Sequence, residues 1–316
     1  MRGNKLYLVV PCYNEEEVLP ETSRRLVEKL NSLIEREKVD AQSRILFVDD
    51  GSKDRTWELI AGYHRENRQI SGLKLSRNKG HQNALLAGLT HAKELCDMAI
   101  SLDADLQDDV DVIDQFVDQY LEGCDIVYGV RSARDTDTAF KRTTAVGFYK
   151  VMKALGVDIV ENHADYRLMS RRALEALSQF SETNLFLRGI VPLIGFKTGV
   201  VTYERHERQA GTSKYPLKKM LAFAFDGITS FSVKPIRMIT SLGVIMAAVS
   251  FVCMVVFWIM RLCGSYAVGW GNVVAPIWLV GGINMIALGL VGEYIGKIYS
   301  EVKRRPLYIV DTVLDE

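Results

Sequence analysis

The sequence predicts an α/β fold, a mostly parallel sheet with helices on both faces, followed by a two-helix transmembrane hairpin. Short runs rich in Val, Ile, Leu and Tyr alternate with segments whose apolar residues recur every three or four positions. Acidic residues stand directly after several of these runs, and two long uncharged apolar runs follow near the C-terminus. The alternation predicts the sheet, the acidic strand ends predict a ligand site, and the long apolar runs predict the hairpin.

Five apolar runs predict β-strands. They cover residues 5–10, 44–48, 72–75, 98–102 and 125–130. The intervening segments have helical spacing, at Leu19, Leu26, Leu30 and Leu33 and over 57–63, 84–95 and 112–121. Strands that alternate with helices pair in parallel through right-handed crossovers, which gives a Rossmann-like sheet. Ligands of such sheets bind beyond the carboxyl ends of the strands.

The uncharged apolar runs at 238–260 and 273–292 predict two transmembrane helices, at about 238–260 and 273–295. At about 1.5 Å per residue, each run is long enough to cross a hydrocarbon core of about 30 Å. A pair of buried core helices is the alternative. Helices of that length in a water-soluble protein normally show a polar stripe, whereas these runs contain only isolated polar residues.

The distribution of basic residues predicts the orientation of the hairpin. Lysines and arginines flank both runs, whereas the connecting loop carries only Arg261. Both ends therefore face the cytoplasm, and the N-terminus shows no signal-peptide pattern. We expect a multi-pass protein of the inner membrane with a cytoplasmic catalytic domain at 1–215, an interfacial amphipathic helix at 216–235, the hairpin at 236–298 and a cytoplasmic tail at 299–316.

Composition argues against nucleic acid as a partner and against a framework of disulfide bonds. The 39 basic and 39 acidic residues cancel, so no global field favours nucleic acid. The five cysteines show neither a C-x-x-C motif nor metal-ligand spacing, which argues against a disulfide framework. We expect them to be small hydrophobic residues in a reducing compartment.

Acidic residues follow three of the predicted strands. The first strand ends in Pro-Cys-Tyr-Asn-Glu at 11–15, the second in Asp-Asp-Gly-Ser-Lys-Asp at 49–54, and the fourth in Asp-Ala-Asp-Leu-Gln-Asp at 103–108. A glycine-rich phosphate turn is missing after the first strand. A phosphate facing these carboxylates would be repelled unless a divalent cation lay between them. Asp-x-Asp supplies the hard oxygen ligands that Mg²⁺ or Mn²⁺ prefers.

A structural role is the alternative for part of this pattern. Asp50, Ser52 and Asp54 are residue types that form Asx turns and cap helices. An Asp-x-Asp motif alone is common. Its combination with the other two strand ends is what favours a metal-assisted nucleotide site.

Five motifs together resemble the family 2 glycosyltransferases of the GT-A fold. They are V-V-P-C-Y-N-E at 9–15, V-D-D-G-S-x-D-x-T at 48–56, N-x-G at 78–80, L-D-A-D-L-Q-D at 102–108 and G-x-R at 129–131. The chain is most similar to the polyprenyl-phosphate branch, which contains dolichol-phosphate mannose synthases and bactoprenol glucosyltransferases. The resemblance covers nearly the whole chain.

The resemblance implies a set of donor-binding residues. They are Pro11, Tyr13, Glu15, Val48, Asp50, Asp103, Ala104, Gln107 and Arg208. Asp103, Asp105 and Gln107 would hold Mg²⁺ or Mn²⁺ beside the diphosphate, with Asp103 and Asp105 counted as catalytic. Tyr13 could equally be a packed aromatic at the strand end.

The resemblance also implies where the acceptor binds. Arg131, Lys141 and Arg142 would bind the phosphate of a polyprenyl phosphate, and the segment 208–214 would close over the donor. Asp165 matches the acidic position often assigned as the base. A phosphomonoester has a second pKa of about 6 and hardly needs a base, so we favour an orienting and electrostatic role for Asp165, with general base second.

We therefore expect an inverting, metal-dependent transfer of a hexose, with UDP-glucose as donor and undecaprenyl phosphate as acceptor. UDP-GlcNAc, GDP-mannose or an amino-arabinose donor are alternatives within the class. A processive synthase is disfavoured because its Q-x-x-R-W motif is missing. A membrane-anchored sensor that binds nucleotide sugar without turnover is the alternative of another class. The G-x-x-x-G pattern at 292–296 suggests a packing face for a homo-oligomer.

Overall fold

The computed structural model describes residues 3–131, 163–182, 187–204, 234–262 and 270–315. Its strands are β1 Leu6–Cys12, β2 Arg44–Asp49, β3 Ile70–Leu75, β4 Met98–Ser101, β5 Ile126–Arg131, β6 His163–Ser170, β7 Thr198–Tyr203 and β8 Val310–Leu314. The helices are α1 Leu19–Glu35, α2 Thr56–Glu66, α3 His81–Ala92, α4 Ile113–Leu121, α5 Arg171–Leu177, α6 Leu187–Leu193, α7 Lys234–Leu262 and α8 Trp270–Lys303.

The strands form one mixed sheet in the order β7-β5-β6-β4-β1-β2-β3-β8. At its centre β1 pairs in parallel with both β2 and β4, and β2 pairs in parallel with β3. Strand β6 runs antiparallel between β4 and β5, and β8 runs antiparallel along β3. The predicted α/β fold is confirmed, and the antiparallel strands make the sheet mixed.

The core lies between this sheet and the helices that cover it. Every residue of β1 is buried, as expected for a central strand covered on both faces. The four leucines that predicted the first helix are fully buried in α1, at Leu19, Leu26, Leu30 and Leu33. Helix α3 lies very close to the sheet at Gly88. A Cβ there would come within 2.5 Å of Val9 and 2.6 Å of Val48.

Contacts divide the chain into two compact units. The first contains the sheet and its helices, including β8 near the C-terminus. The second contains α7 and α8. The predicted interfacial helix at 216–235 lies almost wholly outside the described residues.

The transmembrane hairpin was predicted at the two long helices. No helix in the described part of the chain combines the length and the apolarity that a membrane span requires. The predicted hairpin is therefore wrong on this finding, and so is the multi-pass membrane location that rested on it.

Candidate active site

The loops after β1 and β2 are joined by hydrogen bonds. The backbone N–H of Asn14 donates to Ser52 Oγ at 3.0 Å, and Asn14 Oδ1 accepts from the N–H of Lys53 at 2.9 Å. The N–H of Glu15 donates to Thr56 Oγ1 at 2.9 Å. Neighbouring parallel strands end at the same edge of a sheet, so the acidic loops after β1 and β2 meet there.

The predicted donor residues of β1 and β2 differ in exposure. Pro11 and Val48 face each other in the β1–β2 register. Tyr13 is 40 % exposed, which disfavours the alternative of a packed strand-end aromatic. Asp50 is buried, and each of its carboxylate oxygens accepts a backbone hydrogen bond, from Lys79 at 2.7 Å and from Gly80 at 2.8 Å. Asp50 therefore shapes the loop before α3.

Asp54 forms the Asx turn that the sequence suggested, but it does not cap α2, whose N-cap is Arg55 without a side-chain capping hydrogen bond. Its Oδ1 accepts from both the N–H and the hydroxyl of Thr56, the first residue of α2, at 3.0 and 2.6 Å. Its Oδ2 accepts from the N–H of Glu16 at 3.2 Å. Asp54 thus anchors the first turn of α2 and the loop after β1 together.

The loop after β4 carries a concentration of negative charge. Burial raises the pKa of Asp103 to about 6, and His81 opposes the rise. The nearby carboxylates of Asp108, Asp165 and Asp105 add to it. Four acids at one place repel one another, so a cation would be bound favourably there.

The same loop is held in a defined shape. Asp105 Oδ1 accepts from the N–H of Gln107 at 3.2 Å, and Leu106 has a positive φ of 53°. The carbonyl of Ala104 accepts from the hydroxyl of Thr22 in α1 at 2.7 Å. Ala104 thereby ties the loop to the core while Asp103 and Asp105 stay at the crevice.

These residues fit a divalent cation that the substrate would help to bind. Among the described residues, no three His, Cys, Asp or Glu side chains form a metal-binding group on their own. Mg²⁺ is commonly held by one or two carboxylates together with substrate phosphates and water. Asp103, Asp105 and Gln107 match that partial donor set.

Strand β6 brings Asp165 to the same edge. In the antiparallel β4–β6 register, Ser101 faces Arg167, so Asp165, two residues earlier, lies beyond the carboxyl end of β4 beside Asp103. Asp165 Oδ1 accepts from Arg167 Nη2 at 2.5 Å. Arg188 Nη2 donates to Asp165 Oδ2 at 3.1 Å, and its Nε donates to Oδ1 at 3.3 Å.

The ionisation state of Asp165 follows from these partners. Burial alone would raise its pKa, but Arg167 and Arg188 outweigh burial and hold the pKa well below its usual range. Asp165 is therefore a firmly ionised carboxylate that accepts three N–H groups. This environment agrees with an orienting role better than with a proton acceptor.

Two crevice residues were missed by the sequence analysis. His81, the first residue of α3, places Nε2 3.4 Å from Asp103 and 4.0 Å from Asp165. It directly follows the quoted N-x-G motif, a signal that could have found it. Arg188, at the start of α6, follows no quoted motif, and only the fold brings it to Asp165.

Arg131 is the described member of the predicted acceptor group. Its Nη2 donates to Asp108 Oδ1 at 3.2 Å and its Nε donates to Tyr203 Oη at 3.3 Å. The Tyr203 hydroxyl also donates to Asp108 Oδ1, at 2.6 Å. Asp108 is buried, and its Oδ2 has no hydrogen-bond partner among the described residues. Arg131 is thus held next to the loop that carries Asp103, Asp105 and Asp108.

The other predicted acceptor and closing residues cannot be placed. Lys141, Arg142 and Arg208 lie outside the described residues, as does the side chain of His163. Their predicted roles stay predictions.

Comparison with known proteins decides the family. The profile of glycosyl transferase family 2 matches residues 7–178, more than half of the chain. The chain belongs to this family. The match covers the strands and loops that carry Asp50, Asp103, Asp105 and Asp165. The predicted family is confirmed.

Relatives match over nearly the full length. The uncharacterized glycosyltransferase YkoT of Bacillus subtilis (strain 168) is 57 % identical, over 97 % of this chain and 91 % of that protein. The SfII prophage-derived bactoprenol glucosyl transferase of Shigella flexneri is 40 % identical, over 97 % of each. Among solved structures, mannosyl-3-phosphoglycerate synthase from Rubrobacter xylanophilus has a TM-score of 0.48 and 16 % identity, over 71 % of each chain.

Proposed function

We propose that this family 2 glycosyltransferase moves a hexose from a nucleotide sugar, with UDP-glucose as the favoured donor, to a polyprenyl phosphate, with undecaprenyl phosphate as the favoured acceptor. The observation that carries the proposal is the meeting of Asp50, Asp103 and Asp105 with Asp165 and two arginines at one edge of the sheet. A bactoprenol glucosyl transferase at 40 % identity over nearly the whole chain supports the acceptor class.

The donor half of the proposal rests on the loops after β1, β2 and β4. Pro11, Tyr13 and Val48 would line the base of the nucleotide, with Asp50 shaping the neighbouring loop. Asp103, Asp105 and Gln107 would hold a divalent cation and with it the diphosphate. When bound, that cation would offset the charge that develops on the departing nucleoside diphosphate.

The acceptor half needs a nucleophile and little proton transfer. A phosphomonoester with a second pKa of about 6 is largely deprotonated near neutral pH. Its oxygen can attack the anomeric carbon directly, on the face opposite the departing diphosphate, which inverts the configuration. Asp165 would orient the crevice arginines rather than remove a proton. Arg131, Lys141 and Arg142 are the cations proposed to bind the acceptor phosphate.

A donor panel tests this proposal. Radiolabelled UDP-glucose, UDP-GlcNAc and GDP-mannose would each be incubated with undecaprenyl phosphate in detergent and Mg²⁺ or Mn²⁺. We expect label from UDP-glucose to move into the butanol-extractable lipid. Label that stays in the water-soluble donor throughout would favour the sensor alternative, and preference for another sugar nucleotide would correct the donor.

The placement of the acceptor has its own test at Arg142. Arg142→Ala should raise the apparent KM for undecaprenyl phosphate or lower its transfer rate, while donor binding stays near wild type. Arg142→Lys keeps the charge but loses the bidentate geometry, so it should recover part of the loss. An alanine variant with weakened donor binding and unchanged acceptor kinetics would refute this placement.

A further inference from the structure

Two guanidinium groups face one carboxylate in the crevice. Arg167 and Arg188 both donate to Asp165, which has a single negative charge. Within the described residues, neither arginine forms an ion pair with any other acid. The cluster therefore carries one positive charge more than its own carboxylate neutralises.

The two arginines differ in their access to the crevice. Arg167 is 1 % exposed, and its Nη1 donates to the backbone carbonyl of Leu187 at 3.4 Å. The Arg188 side chain is 35 % exposed. Arg167 is thus enclosed by protein and serves as the fixed partner of Asp165. Arg188 is the one of the pair that a ligand can reach.

Arg188 interacts electrostatically with one charged residue from each half of the proposed site. Burial lowers its pKa, but Asp165 outweighs burial and raises the pKa above its ordinary value. Arg131 opposes that rise and Asp103 adds to it, so both lie within electrostatic reach. The guanidinium is therefore within electrostatic reach of a proposed metal ligand and of a proposed acceptor-binding cation.

We propose that Arg188 binds a phosphate group of the substrates and that Asp165 is the residue that positions it. The inference rests on the proposed function and deepens it by adding a cation that no motif predicts. A guanidinium is permanently charged and presents several N–H donors in one plane. Asp165 accepts two of them, from Nε and one Nη, which fixes the plane. The remaining Nη atom can still donate to a phosphate oxygen.

The shared chemistry is a phosphate oxygen, from either the nucleoside diphosphate of the donor or the monoester of the acceptor. Direct binding separates these sources without requiring turnover. Binding of UDP in Mg²⁺ and binding of farnesyl phosphate, a short polyprenyl phosphate, would be titrated by calorimetry. The variants are Arg188→Ala, Arg188→Lys, Arg188→Gln and Asp165→Asn.

A matched control comes from a surface pair of the same type. Arg172 donates to Asp125 but lies on α5 with 63 % of its side chain exposed. Arg172→Ala should leave both titrations within about twofold of wild type. Melting temperatures of all variants show which of them fold. Arg188→Gln keeps an N–H donor toward Asp165 and replaces the alanine variant if that one unfolds.

We expect Arg188→Ala to weaken at least one ligand by about tenfold or more, since a charge-assisted hydrogen bond is lost. Arg188→Lys should recover part of that loss. Asp165→Asn should weaken the same ligand, because it releases Arg188. Loss in the UDP titration assigns Arg188 to the donor, and loss in the farnesyl phosphate titration assigns it to the acceptor.

Two results would overturn the proposal. One is Arg188→Ala binding both ligands as wild type does. The other is a pair of results: Asp165→Asn loses turnover but binds both ligands as wild type does, and Arg188→Ala keeps turnover. Asp165 would then act by itself and not by positioning Arg188. A wild type that binds both ligands and transfers no sugar would refute the proposed function instead, with the binding comparison still interpretable.

Discussion

Asp50 fixes the position of Gly80 through a hydrogen bond of 2.8 Å from the glycine N–H to its Oδ2. Gly80 has a φ of 88° and directly precedes α3, whose first residue is His81. The loop is also packed tightly against Gly51, where a Cβ would lie 2.6 Å from the backbone carbon of Arg77. The end of β2 therefore determines where α3 begins and where His81 enters the crevice.

Asp50→Asn tests this dependence. Both carboxylate oxygens accept from backbone N–H groups, so the amide would place a donor against a donor. We expect a loss of about 1–3 kcal/mol in the free energy of unfolding, measured with urea, and weaker UDP binding. Asp111→Asn, whose side chain is 79 % exposed, is the control. Unchanged stability in Asp50→Asn would show that the loop is held by other contacts.

Asp105→Asn tests the proposed metal ligand. We expect transfer activity to fall by orders of magnitude while the melting temperature stays close to that of wild type, because Asp105 is only partly buried and does not belong to the core. EDTA should abolish the transfer activity of the wild-type enzyme, and added Mg²⁺ or Mn²⁺ should restore that activity. Full turnover in excess EDTA would refute the metal assignment.

The Arg131–Asp108–Tyr203 group predicts a difference between two variants. Arg131→Ala removes one of the two partners that the buried Asp108 carboxylate has among the described residues, and it should cost about 1–3 kcal/mol of unfolding free energy. Tyr203→Phe keeps the arginine and should cost about 1 kcal/mol. Urea denaturation measures both. A phenylalanine variant less stable than the alanine variant would show that the hydroxyl, not the guanidinium, holds Asp108.

The pairing of α1 with α4 predicts a pH-dependent stability. Burial alone would raise the pKa of Asp114, but Lys29 and Arg36 outweigh it and lower the pKa. Lys29 Nζ lies 2.8 Å from Asp114 Oδ2. A lowered pKa means that the pairing stabilises the fold above the unfolded pKa of about 3.9 and is lost as the pH falls through the folded value.

Asp114→Asn should therefore be less stable than wild type by about 1 kcal/mol at pH 7, and the gap should narrow below about pH 4. Urea denaturation at several pH values measures it. Asp118→Asn is the matched control, since Asp118 pairs with Lys38 but is 49 % exposed. If the difference in unfolding free energy between Asp114→Asn and wild type stays constant down to low pH, packing and not charge is what matters at Asp114.

Strand β8 should protect the edge of the sheet. It pairs with β3, and Asp315 just beyond it accepts from Arg44 through its carbonyl and contacts His91 through its carboxylate. Ending the chain after Arg304 would expose the β3 edge. We expect the melting temperature to fall by more than about 5 °C and aggregates to appear in size-exclusion chromatography.

Thr312→Ala is the control for this truncation, because the Thr312 side chain is exposed and the backbone ladder stays intact. It should melt like wild type. A truncated chain that is as stable and as monodisperse as wild type would show that β8 does not protect the edge.

The sequence predicted the first five strands because each is a local apolar run bounded by polar and turn-forming residues. The run at 44–48 became Arg44–Asp49, and the run at 125–130 became Ile126–Arg131. Strand β8 was not predicted. Its residues are mostly exposed, so it lacks the pattern of a buried strand, and its partner β3 lies far away in the chain.

The sequence could predict those site residues that stand together in one loop. Asp103 and Asp105 stand in one short motif, and Asp50 stands in another. Arg188 approaches Asp165 only because β6 reverses direction beside β4 and α6 packs nearby. Such pairings depend on register and packing, which no local motif records.

The crowding of acids around Asp103 offers a way to identify the donor without an acceptor assay. A sugar nucleotide that binds the folded protein together with Mg²⁺ should stabilise it, and the relief by the cation of the repulsion between Asp103 and its neighbouring acids is part of that binding free energy. Heating the protein with each sugar nucleotide plus Mg²⁺ should then rank candidate donors by the rise in melting temperature, directly from small amounts of purified protein.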